Sequence, residues 1–400
     1  MNLKQFFGDE GGSIAVIFAV SLIPLLGFSG AAVDYVRATQ SRSKMQAAAD
    51  GAALAAVLAQ VPTAAQREGT ARQVFSSLRT SGIAATPVVS ATTTQATVTA
   101  STEVETSMLK LIRIRQIPIR SHATAVKVFS GPPPCLLALN RTVDKALLIS
   151  GSAQYVAQGC VLHSNSTSAQ SLWVDNNTTV DAGGFCAVGK ATIPGTMTPT
   201  PRSYCEPLQD PFRNLPAPTA GACVATNLEI TPTQTRTLQP GTYCGGLTIK
   251  GTATLQPGVY VISGPLTVAS QATTSGAGIT FYLTGSTAGF TIQAGAMVDW
   301  SAPTSGPYAG VLFFQDRLAN PGFVNFFAGG SATKLMGSIY TPTQKVRVGG
   351  GSGLSQDIPF LPIIADQVEI TGNIRAKAVL PGTALPFPLP KTESGARLVE

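Results

Sequence analysis

Residues Leu238–Val268 read LQPGTYCGGLTIKGTATLQPGVYVISGPLTV. The stretch says one thing twice: LQPGTYCGGLTI starts at Leu238 and LQPGVYVISGPLTV at Leu255, an offset of 17 residues. Each copy is a short apolar run, a Pro-Gly corner and a second run. A unit this small cannot bury an apolar face alone, but a stack of such units shares a continuous core. Related units lie on both sides. LLISGSAQYVAQGCVL (Leu147–Leu162) echoes LWVDNNTTVDAGGFCAV (Leu172–Val188) at an offset of about 25. GITFYLTG from Gly278, YAGVLFFQD from Tyr308, KLMGSIYTPTQKVRVGG from Lys334 and IIADQVEITGNIRAKAV from Ile363 are further strands broken by Gly, Pro, Asn or Thr turns. The repeated strand–corner–strand unit predicts a mainly β domain over residues 131–385, a right-handed parallel β-helix-like solenoid. An antiparallel β-sandwich is the alternative.

The composition agrees with strands and turns. Only 12% of the 400 residues are charged and 40 are glycine, against about 25% charged in ordinary domains. The net charge of +7 is mild, and no Lys/Arg cluster is interleaved with aromatics, so nucleic acid is not an expected partner. The six cysteines, Cys135, Cys160, Cys186, Cys205, Cys223 and Cys244, are spaced by 18 to 26 residues with no C-x-x-C. That spacing argues against a metal site and for disulfides in an oxidising compartment. Sequence alone leaves the connectivity open. Cys160 and Cys186 fall at nearly equivalent positions of the two echoing units, so a staple between them is one pairing to expect.

Ser13–Val33, SIAVIFAVSLIPLLGFSGAAV, is 21 residues without a charge, bounded by Glu10 and Asp34. That length spans a bilayer core as a helix, and Pro24 is tolerated in a membrane helix. A cleaved signal peptide is the competing reading. The weakly basic start, with Lys4 facing Asp9 and Glu10, and the length of the run favour a retained transmembrane helix. Arg37, Arg42 and Lys44 would place the following segment in the cytoplasm by the positive-inside rule. The cysteines place the C-terminal bulk outside and outweigh them, because long domains translocate largely regardless of nearby charge. The organisation expected is a cytoplasmic N-terminus (1–12), a transmembrane helix (13–33), stalk helices (34–82), a small β unit (83–130), the cysteine-bearing solenoid (131–385) and a loose tail (386–400).

Asp34–Gln60, DYVRATQSRSKMQAAADGAALAAVLAQ, is Ala-rich and free of proline. Val36, Met45, Ala49, Ala52, Ala53 and Ala56 mark a low-volume helical face, either a spacer or a surface for similar helices. In KLIRIRQIPIR (Lys110–Arg120), alternation separates Ile112 and Ile114 from Arg113 and Arg115. This is either a charged edge strand or a contact for anionic lipid or polysaccharide.

Gly11–Val57 carries a Gly-Ser before the apolar run, a mid-helix proline, AVDYVR and KMQAAADGAALAA. In this it resembles the N-terminal segment of the TadE/TadG-like proteins of tight-adherence (Flp) pilus assembly. The resemblance covers about the first 60 residues. It implies a single-pass protein of the bacterial inner membrane with its C-terminal part periplasmic. Its partners would be the membrane and other pilus assembly proteins, and its role the assembly, anchoring or adhesion of pili. Processed relatives carry Glu five residues after the cleavage Gly; counted from Gly12, that residue is Ile17. Gly12 as a processing site therefore departs from the family pattern. The D-x-S-x-S motif of larger relatives is absent.

No catalytic signature stands out, and no cofactor is expected. His122 and His163 lie outside any nucleophile–base pattern. GGGSG (Gly349–Gly353) lacks the Lys-Ser/Thr of a P-loop. Asp175, Asp181, Asp299, Asp316, Asp357, Asp366 and Glu369 are scattered. The expectation is a non-catalytic protein. The alternative is a carbohydrate-binding or carbohydrate-cleaving envelope protein, with surface polysaccharide as partner, which needs outward Trp173 or Trp300 beside paired carboxylates.

Overall fold

The computed structural model describes residues 13–79, 84–195, 198–328, 332–350, 359–360, 362–378 and 389–399. They form two compact units, Met1–Val128 with Gly395–Glu400, and Phe129–Ser394.

In the first unit, helix α1 (Ser13–Leu58) runs unbroken through Pro24 for 46 residues. Its two halves have opposite surroundings. Ile17, Ile23 and Phe28 are 67%, 73% and 76% exposed. This half is long and apolar enough to cross a membrane. From Ala38 onward one face turns inward: Met45, Ala49, Ala52, Ala53 and Ala56 are fully buried, while Val36 stays exposed. The low-volume face is therefore used within the chain. It packs with Ala71 and Phe75 of helix α2 (Ala64–Leu78) and with Ala96, Val98, Ala123 and Ala125 of a sheet. Small residues on both sides let the backbones approach closely. α2 starts with a capping box, in which Thr63 and Gln66 satisfy each other's backbone N–H.

The sheet is an antiparallel meander of β1 (Val88–Ala91), β2 (Gln95–Glu105) and β3 (Gln116–Gly131). The strand Thr392–Val399 completes it beside β3. The loose tail expected there is corrected over these residues: the long edge of β3 offers unpaired backbone groups, and the chain's last strand covers them.

The second unit is a parallel β-solenoid of about ten turns. The opening repeat sits on adjacent coils, with Leu238 opposite Leu255. Past the corner the register slips by two, so that Gly241 faces Tyr260 and Tyr243 faces Ile262. An even slip keeps inward side chains inward. One inward row runs Tyr260, Phe281, Phe313, Ile339, Ile363, Leu136, Leu162 and Phe185, each beside the next. Trp300 is fully buried against Phe281, ring centroids 4.7 Å apart, with its Nε1 donating to Thr274 Oγ1 at 3.1 Å.

That row departs from chain order. The strands Pro134–Ala138 and Leu147–Ile149 stack on Ile363–Gly372, the last long strand of the other coils. Coils 154–164, 179–187 and 202–203 continue outward from there. The chain then returns along the outside to begin again at Cys223–Ile230, which pairs with Gly241–Ile249. The returning segment is a strap, residues 205–222. Its Leu208, Phe212 and Leu215 are buried on an outward apolar row that includes Val261, Tyr282, Phe314, Tyr340, Ile364 and Leu137. Phe212 stacks on Tyr340 at 5.0 Å, and Asn165 binds both backbone groups of Leu208 at 2.8 Å.

The disulfides are Cys135–Cys160, Cys186–Cys205 and Cys223–Cys244, with Cα atoms 5.5, 5.9 and 5.7 Å apart. The expected Cys160–Cys186 staple is corrected. Between Ala157 and Val161 the strand carries extra residues relative to its partner, so Cys186 sits opposite His163. Cys160 points into the core while Cys186 lies on the outer face. Cys205 and Cys223 staple the strap at both ends.

Truncating Phe212 to Ala should cost about 3–5 kcal/mol by loss of buried contacts. Leu318→Ala, at a residue 93% exposed, should stay within about 0.5 kcal/mol. Urea unfolding of the two variants with disulfides intact makes the comparison; equal midpoints would mean the strap is not part of the core.

Candidate functional site

The best-defined polar construction outside the solenoid stands where the apolar half of α1 ends. Asp34 closes the uncharged run and is 2% exposed. Its carboxylate accepts the backbone N–H groups of Ser107, Met108 and Leu109 at 2.8, 2.8 and 2.7 Å. Arg37, one turn on, donates to Ser107 Oγ. The bond from Leu109, with those from Ser107 and Met108 and the Arg37 charge, holds the Asp34 carboxyl below its usual range against the opposing effect of burial. The loop so clamped forms a 3-10 turn, Leu109–Ile112, closed by Arg113 in a left-handed conformation at φ 71°. Gly30 allows the close approach: a Cβ there would sit 2.6 Å from Met108 Cβ. On the sequence Asp34 is only the charge that ends the apolar run. Its partners lie more than 70 residues downstream, and no local signal announces them.

The residues weighed for chemistry are held in separate structural contacts. His122 is exposed on a strand, 3.4 Å from Thr99 Oγ1. Asp175 accepts from Trp173 Nε1 at 2.7 Å, and Lys145 covers the half-buried Trp173 ring at 4.5 Å. Asp181 accepts from Gln158, Asp316 from Thr284, and Asp366 from Asn140. Glu369 pairs with Lys345 and Arg347. Asp299 faces Ser275 and Lys334 across neighbouring strands. Trp300 is in the core. Among the described residues no group of three or more His, Cys, Asp or Glu is placed to hold a metal ion. Gly12, Asp357 and Gly351–Gly353 lie outside the described residues.

His163 belongs to the outward row under the strap, opposite Leu137 on one coil and Cys186 on the next. It is 2% exposed, and burial pushes its pKa down to about 4.

With the helix, the clamp and the Ala face in place, the N-terminal segment has relatives. Residues 12–66 match the family model "Putative Flp pilus-assembly TadE/G-like". The match covers α1 from its start, the turn after it and the first residues of α2. The solenoid lies wholly outside it. No curated protein and no solved structure matches the chain. The TadE/G-like segment thus contains Asp34 and the buried alanines but neither the clamped loop nor the strap.

The folded pKa of His163 lies below its ordinary value of about 6.5, so the unfolded chain binds more protons between the two. Stability is full above about pH 6.5, falls as the pH drops toward about 4, and loses no more from this group below that. The loss is on the order of 3 kcal/mol. Urea unfolding of wild type and His163→Gln at pH 7 and 4.5 should show wild type losing more; parallel losses would remove His163 as the cause.

Proposed function

We propose that this protein is a membrane-anchored, non-catalytic component for the assembly, anchoring or adhesion of tight-adherence pili. The observation that carries the reading is the TadE/G-like segment itself. Most of it is one unbroken helix, apolar and exposed in its first half and packed by one face into a folded unit in its second. That is the arrangement of a bitopic anchor with a domain seated at the membrane. Three disulfides favour an oxidising, periplasmic location for the solenoid. Among the described residues, Asp175, Asp181, Asp316, Asp366 and Glu369 are bonded to non-acidic side chains, and Trp300 is buried. One outer face of the solenoid instead presents rows of small polar residues, with Thr237, Thr254 and Ser275 in register. A rigid, extended surface of this kind suits docking to other envelope components.

Deletion of the gene in a strain that makes these pili should abolish surface pili in electron micrographs, with restoration by the full-length gene. Unchanged pili would end the assembly role. Alkaline phosphatase fused after Pro134 should be active; an inactive fusion there, with an active one near residue 5, would invert the orientation.

A further inference from the structure

We propose that the clamped loop Ser107–Ile114 is a second membrane-inserted element, and that with α1 it forms a site for an anionic phospholipid. The inference rests on α1 being a retained anchor. The loop's position comes first. Ile23, Pro24 and Gly27 of α1 form one wall of an apolar groove of about 890 Å³, and Met108, Leu111 and Ile112 form the other. A loop that runs beside the apolar half of a spanning helix lies in the same leaflet.

The loop's side chains fit that place. Met108, Leu111 and Ile112 are 52%, 79% and 67% exposed, with no protein layer over them. Its backbone fits as well. Irregular chain can enter lipid only if its polar groups are satisfied internally. Thr106 donates its N–H to Arg115 O, Leu111 to Met108 O, Arg113 to Lys110 O and Ile114 to Leu109 O. Ser107, Met108 and Leu109 donate theirs to Asp34.

The charges select the lipid. Lys110, Arg113 and Arg115 are exposed, and among the described residues none of them has a carboxylate at ion-pair distance. Exposed Arg37 lies on the helix at the same end of the groove. Long basic side chains can keep their apolar stems in lipid while their heads reach the phosphate level. The groove then receives an acyl chain, and the basic heads receive the anionic headgroup. Each cation near such a surface strengthens the association roughly fivefold.

All cysteines are disulfide-bonded, so a nitroxide can be attached selectively to an added cysteine in the oxidised full-length protein. Leu111→Cys, Ile23→Cys and Val224→Cys are reconstituted in vesicles of phosphatidylcholine with phosphatidylglycerol. Accessibility to oxygen and to a water-soluble nickel complex is then read for each. The label at 111 should be oxygen-accessible and nickel-shielded like that at 23, and unlike that at 224. A label at 111 in water with that at 23 in lipid overturns the proposal and leaves the anchor standing. A label at 23 in water overturns the anchor itself. Spin-labelled phosphatidylglycerol should be immobilised several-fold more than spin-labelled phosphatidylcholine, and Lys110→Gln with Arg113→Gln should erase the difference. Equal immobilisation by the wild type overturns the anionic selectivity.

Discussion

Phe212 lying flat on Tyr340 is the contact on which the solenoid depends. A parallel stack ordinarily grows from one end of the chain to the other. Here the first coils of the sequence sit on the last ones, so the chain must travel back along the whole stack to start again. The return is stable because the outward row beneath it is apolar, from Val261 to Leu137. That row would be a liability without the strap, and the strap would be an unfolded linker without the row. The backbone bonds from Asn165 to Leu208, the bond from Tyr340 Oη to Asp210 and those from Arg317 to Phe212 O and Leu215 O supply the polar partners. Buried hydrogen-bonding groups need such partners. The disulfides at Cys205 and Cys223 fix where the return begins and ends.

How much of this the sequence announced follows from how local each cause is. The apolar run Ser13–Val33 and the repeated unit at Leu238 are local, and both specify their elements. The inward ladders follow from the same periodicity. Stacking order is a matter of which edge meets which, and nothing within Pro134–Ala138 names Ile363–Gly372 as its neighbour. The disulfides were obscured by the extra residues after Ala157, which break the equal spacing that made Cys160 and Cys186 look equivalent. A signal for the strap did exist. Runs such as VLFFQ (Val311–Gln315), buried at every position, lack the alternation of a strand with one wet face. Continuous apolar strands imply cover on both sides.

In the N-terminal unit the Ala-rich face shows how a small-residue stripe is ambiguous on paper. The same alanines would serve a helix bundle between chains or a close fit within one. The packing partners decide, and here they are Phe75 and the alanines of the meander. Asp34 is the opposite case, a single residue whose role depends wholly on a distant loop. Together they seat one half of a long helix in a folded unit and leave its apolar half exposed.

The solenoid starts and stops at one place. The hydroxyls of Ser130 and Ser394 are 2.7 Å apart, and Thr392 Oγ1 donates to Pro132 O at 2.7 Å. The strands that lead in and out are neighbours in one sheet. In topological terms the solenoid is therefore an insertion between two adjacent strands of one sheet. The sheet fixes where the insertion begins and ends, and the number of coils between those two points does not enter that constraint.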